Sequence, residues 1–111
     1  MGQKINIVMD QGATFTTTFN VVDNNNLPID LSHYTAASEM RKTYFSSNAY
    51  SFSATGYANG AITLTMNAAT TSAIWAGRYV YDIDITDISG NVSRVIEGIV
   101  TVTPGVTYGV R

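Results

Sequence analysis

Along residues 78–104 apolar and polar side chains alternate: RYVYDIDIT, a loop, then VSRVIEGIVTVTP. A period of two puts every second side chain on the same face of an extended strand and smears the same residues around a helix. This stretch therefore predicts two strands, each buried on one side. Tyr79, Tyr81, Ile83 and Ile85 share the inward face, and Val80, Asp82, Asp84 and Thr86 the outward one. The return strand carries Ile96, Gly98, Val100 and Val102 on one parity. Gly98 has no side chain, so it leaves a gap that Tyr79 or Tyr81 is expected to fill from the opposite strand. Between the strands, Ser89-Gly90-Asn91 suits a loop that needs positive φ. Pro104 lacks an N–H and ends the pairing.

The same period runs through most of the chain. In ATFTTTFNVV (residues 13–22), Phe15, Thr17, Phe19 and Val21 fall on one face. DNNNLPID (residues 23–30) supplies the Asn, Asp and Pro of a corner. Residues 35–45 contain good helix formers, but their strand-rich surroundings and the Thr-Tyr-Phe ending favour a strand. Residues 49–55 and 61–66 make two more strands around the turn 56–60, with Ile62, Leu64 and Met66 together on one face. Only NAATTSAIWAG (residues 67–77) breaks the period. Asn67 suits an N-cap, one or two helical turns follow, and Gly77 is placed to close them. Trp75 is expected to plug one end of the core. About seven short strands with regular turns and one helical turn predict an all-β antiparallel β-sandwich, a single domain over residues 1–111.

Composition narrows the function. The chain has no Cys, which removes disulfides, thiolate metal sites and thiol nucleophiles together. Only 13% of residues are charged and the net charge is -2; typical domains are about 25% charged. A nucleic-acid partner is not expected, because it requires a basic face. Neutral hydroxyls and amides cover the surface instead, and they are cheaper to desolvate than ions. That surface suits a subunit packed against neighbours. No apolar run is long enough for a signal peptide or a membrane span, so no membrane partner is expected.

Catalytic and metal constellations are sparse. The one His, His33, sits in Leu-Ser-His-Tyr, away from any nucleophile elbow. Asp82, Asp84 and Asp87 in DIDITD are the best candidates for a metal, since two share a face, but the spacing of a calcium loop is missing. Charges on the wet side of a strand explain them equally. Glu39 and Glu97 read as ion-pair partners rather than a glycosidase pair. No phosphate-binding glycine loop occurs. From the residues alone the chain reads as a non-enzymatic β-sandwich with no cofactor. The core candidates are Phe15, Phe19, Trp75, Tyr79, Tyr81, Ile83, Gly98 and Val100.

Four segments in order carry a resemblance: QGATFTTTF (residues 11–19), NNLPIDLSHYTA (25–36), AGRYVYDIDIT (76–86) and GNVSRVIEGIVTVTPGVT (90–107). Together they resemble the immunoglobulin-like N-terminal domain of upper baseplate proteins of tailed bacteriophages, and small virion proteins of similar length. The chain departs from that pattern at Asn26, where Gly is common, and at Ser32-His33-Tyr34 in place of Thr-Gly-Tyr. The resemblance implies an immunoglobulin-like sandwich assembled into a virion in the host cytoplasm. Its partners would be other virion proteins in a symmetric array, and it would have no active site. A baseplate or tail position follows most directly; head decoration or the neck would use the same surface. Residues 1–9 and 105–111 are expected to be assembly arms. A second class remains open, a carbohydrate- or receptor-binding sandwich whose site would pair Tyr57 with Asp82 or Asp84.

Overall fold

The structure, a computed structural model, describes residues 3–23, 25–43, 46 and 49–105. The strands are β1 (Gln3–Lys4), β2 (Ile7–Asp10), β3 (Phe15–Asn20), β4 (Thr35–Arg41), β5 (Ala49–Gly56), β6 (Ala61–Met66), β7 (Gly77–Thr86) and β8 (Val92–Thr103). One helix, α1 (Ala68–Ser72), lies between β6 and β7. The strands join in the order β1-β8-β7-β4-β5-β6-β3, with β2 also beside β8, and the sheet curls into a half-barrel. All-β is the fold class. Most pairs are antiparallel, but β1 and β2 run parallel to β8, so the sheet is mixed.

The curl has a definite hinge. Residues 49–52 of β5 pair with β4, and residues 53–56 pair with β6. The strand thus leaves one half of the sheet and enters the other, a corner that lets an apolar face close on itself. Across the interior, the Phe15 and Phe52 rings lie 5.7 Å apart, and Phe19 stacks on Tyr81 at 6.5 Å. Met40, Ile62, Leu64, Ile74, Ile83 and Val100 are fully buried between them. Each such side chain contributes about 1.5–3 kcal/mol.

The turns follow local chemistry. At the 23–30 corner Asp23 Oδ1 accepts the N–H groups of Asn25 and Leu27 (2.8 and 3.1 Å), and Asn26 takes φ 62°. Asn tolerates that left-handed conformation, so the absence of Gly there does no harm. Asn67 Oδ1 accepts the Thr70 N–H at 2.8 Å and caps α1.

Six sequence expectations are corrected. Trp75 does not plug the core; it is 68% exposed, because Ile74 takes the inward position and is fully buried. Gly77 does not close the helix, which ends at Ser72 with Ala73 as its C-cap; Gly77 opens β7. The Gly98 gap is filled by backbone and not by an aromatic ring: the Ile5 carbonyl lies where a Cβ of Gly98 would be. The return strand is not evenly alternating, since both Val95 and Ile96 are buried around a bulge. Residues 3–9 are not a free arm but strands of the sheet, with Met9 fully buried. The strand expected over 35–45 ends at Arg41; Tyr44 and Phe45, like the expected arm residues 1–2 and 106–111, lie outside the described residues.

Candidate functional site

Two places concentrate polar or aromatic chemistry, and register creates the first. Glu39 on β4 faces Asp82 on β7, and Asp82 faces Glu97 on β8. Three acids therefore stand in one row on the outer face, an arrangement that is unfavourable without a counter-charge. The bulge supplies it. Ile83 pairs with Ile96, but Asp84 pairs with Arg94, so Val95 is the extra residue. The slip sends Val95 inward and sets Arg94 over the acids. Its guanidinium lies 3.2 Å from Asp82, 3.7 Å from Asp84 and 3.5 Å from Glu97. Glu39 pairs instead with Arg41 at 3.1 Å.

Burial pushes the Asp82 carboxyl above its ordinary value; Asp84, Glu39 and Glu97 push the same way, and Arg94 opposes them. A raised folded-state value means that the folded protein holds the proton more tightly. The contribution of Asp82 to stability is therefore full below the ordinary 3.8 and is lost as pH rises through the folded value. Asp87 behaves oppositely. The backbone N–H of Asn91 leads the interactions that lower its carboxyl, so its contribution is present above 3.8 and is lost as pH falls. Arg94→Met is expected to raise the Asp82 value further in a carboxylate NMR titration. It should also lower stability at neutral pH by about 1 kcal/mol. An Asp82 titration unchanged in the variant would show that Arg94 does not govern this row.

The metal candidates separate. Asp82 and Asp84 share Arg94, while Asp87 Oδ1 accepts from Ser89 and Asn91 within its own loop at 2.9 Å each. Among the described residues no group of three His, Cys, Asp or Glu could hold a metal ion. His33 is exposed on a turn. Tyr57 is exposed at the β5–β6 turn and lines neither of the hollows that hold Asp82 and Asp84. The expected pairing of Tyr57 with those acids is thus not formed.

The second place was hidden from the sequence. An open groove of about 370 Å³ lies where the chain beyond β4 meets the start of β7, and Lys42, Ser46, Tyr50, Trp75, Ala76 and Tyr79 line it. The Tyr79 hydroxyl donates to the Trp75 carbonyl at 2.6 Å. Tyr50 meets the Tyr79 ring edge-on at 6.4 Å, and Lys42 Nζ sits 4.9 Å from the centre of that ring. The ammonium also donates to the Arg78 carbonyl at 3.1 Å. Burial raises the Tyr79 hydroxyl above its ordinary value, with Tyr50 adding to the shift. Spacing could not assemble these residues, which come from two stretches far apart in the chain, 42–50 and 75–79.

Sequence reasoning also passed over Gln11. It is buried at 6% exposure, and both ends of its amide are used. Nε2 donates to the Ile74 carbonyl at 2.8 Å, and Oε1 accepts the Gly105 N–H at 3.0 Å. It ties the β2–β3 turn to the α1–β7 connection and to the chain beyond β8.

No family model and no curated protein matches the chain. Among solved structures, an internalin-like protein of Listeria monocytogenes is similar at TM-score 0.47 and 18% identity, over 92% of this chain and 28% of that one. A family 123 glycoside hydrolase from Clostridium perfringens is similar at TM-score 0.44 and 12% identity, over 94% of this chain and 23% of that one. The chain spans less than a third of the length of either. At these scores neither likeness carries an activity over to it.

Proposed function

We propose that this chain is a non-enzymatic structural subunit of a tailed-bacteriophage virion, an immunoglobulin-like β-domain of the baseplate or tail held by other virion proteins. The observation that carries this reading is how the four resembling segments spend their residues. Gln11 clamps three parts of the chain, and Gly12 takes φ 86° in the turn after β2. Leu31 anchors the corner at 1% exposure. The Tyr79 hydroxyl ties the start of β7 to Trp75, and that of Tyr81 donates to Ile5 at 2.6 Å. Gly98 admits the N-terminal strand. Those residues build a scaffold, which is what a domain recognised by its shape requires.

The finer immunoglobulin-like reading is supported by two features. β3-β6-β5 and β4-β7-β8 form the two halves of the curl, with β2 parallel to the last strand. In addition, a Tyr near the start of β7 bonds back to a carbonyl four residues upstream, the arrangement of a tyrosine corner. The sparse charge of the surface adds to the assembly reading, because burying it in contacts costs little.

The test is to purify virions of the phage whose genome encodes the chain, disrupt them, and probe separated heads, necks, tails and baseplates with an antibody against it. Detection in tails or baseplates at a fixed copy number is expected. Detection only in heads or necks moves the subunit to decoration or joining. Absence from the particle overturns the reading.

A further inference from the structure

We propose that the Trp75 groove binds an acidic sugar unit, a hexuronic or sialic acid residue of a glycan. The inference is independent of the virion reading and rests on side chains that reading does not use, the Trp75 indole and Lys42. Trp75 is the only Trp of the chain and stands 68% exposed. An indole face in water is a stacking surface for an apolar ring face, and here the backbone that carries it is held in place. The carbonyl of Trp75 is fixed by the Tyr79 hydroxyl at 2.6 Å, and Tyr79 is itself buried and braced by Tyr50. Little ordering of the backbone or of Tyr79 is left to be done on binding, and ordering is where affinity is commonly lost.

The polar chemistry of the groove selects the ligand's charge. Among the described residues that line it, Lys42 is the only ionised one and none carries a carboxylate or a side-chain amide; Ser46 adds one hydroxyl. A neutral sugar offers hydroxyls that need acceptors, and among the described residues this lining supplies few. A carboxylate needs donors, and an ammonium has three, of which one is given to the Arg78 carbonyl. The ammonium is steered from two sides. The Tyr79 ring face attracts it at 4.9 Å, and Gly77 leaves it room, because a Cβ there would lie 3.0 Å from Nζ. The acids of the neighbouring outer face are engaged with Arg94 and Arg41 and do not enter the groove. The volume, about 370 Å³, falls in the range of small-ligand sites and suits one sugar ring.

Because the chain has one Trp, its emission reports the site directly. The full chain is titrated with trigalacturonic acid and with 3′-sialyllactose, and with maltotriose and lactose as neutral counterparts. A saturable change in Trp75 emission with at least one acidic probe, weaker at high salt, is expected. Lys42→Met should weaken that probe about tenfold, the scale of one charge-assisted hydrogen bond, and Lys42→Arg should retain binding. Trp75→Ala, followed by calorimetry since it lacks the indole, should bind no acidic probe while unfolding at the parent midpoint. The proposal is overturned by an absence of saturable response to both acidic probes, by an equal response to the neutral sugars, or by Lys42→Met binding like the parent. It is also overturned if Trp75 responds only to purified virion proteins, which would make the groove a protein contact. Failure here leaves detection of the chain in particles unaffected, so the two readings fail separately.

Discussion

Gly98→Val is expected to lower the free energy of unfolding by about 3 kcal/mol or more, the upper range for overpacking together with a lost buried hydrogen bond. The cause is one crossing of chains. β1 and β2 lie along β8 with a break at residues 5 and 6, and the Ile5 carbonyl passes directly over Gly98. A Cβ on Gly98 would lie on that oxygen and only 2.8 Å from the Ile5 carbonyl carbon. These are backbone atoms and have no rotamer to change. The break is already held from three sides. Ile5 N–H donates to the Glu97 carbonyl at 2.9 Å, Asn6 Oδ1 accepts the Ile99 N–H at 3.1 Å, and the Tyr81 hydroxyl donates to the Ile5 carbonyl at 2.6 Å. Burial pushes the Tyr81 hydroxyl up to about 12, so it remains a donor through the physiological range. A valine at 98 must lift Ile5, and all three bonds go with it. Guanidinium unfolding of the parent and variant measures the difference. A midpoint within error of the parent would mean that the N-terminal strands do not hold this position.

Removing residues 1–9 is expected to cost at least about 4 kcal/mol, since loss of a buried Met alone costs about 2–5 kcal/mol. Against a total of about 5–15 kcal/mol, that leaves the chain close to unfolding at room temperature. Residues 7–10 supply the parallel partner of residues 100–103, and Met9 has no exposed surface at all. Val100 and Val102 would face water in its absence. Loss of dispersed amide resonances in a two-dimensional NMR spectrum, or a large drop in unfolding midpoint, is the expected result. A free arm would behave otherwise, leaving the spectrum of the sheet and the midpoint unchanged. This distinction bears on assembly as well. If the truncated chain fails to enter particles, the failure cannot be assigned to a missing contact until its folding has been measured.

The alternation of residues 78–103 determined the two long strands, and with them which side of each is buried, because a period of two has no other stable use in a chain of this length. The inward positions of Phe15, Phe19, Tyr79, Tyr81 and Ile83, and the β-strand rather than helix at residues 35–41, were legible in the same way. So were the Asn67 cap and the Asp23 and Asp87 turns, since a side chain that bonds a backbone two to four residues away is a local property. Tertiary structure decided everything that depends on meetings between distant segments. Parallel pairing of β1 and β2 with β8 carries no local signature, because it joins residues nearly the whole chain apart. The bulge at Val95 is settled by which register buries one more apolar side chain and brings Arg94 over Asp84, a balance no window of the sequence contains. Trp75 shows the limit most plainly. Size and apolarity pointed it inward, but Ile74 beside it fills the core, so the indole is left outside, lining one groove with Tyr79 and Lys42. Adjacent residues on a turn cannot both face the interior, and only the packing around them selects which one does.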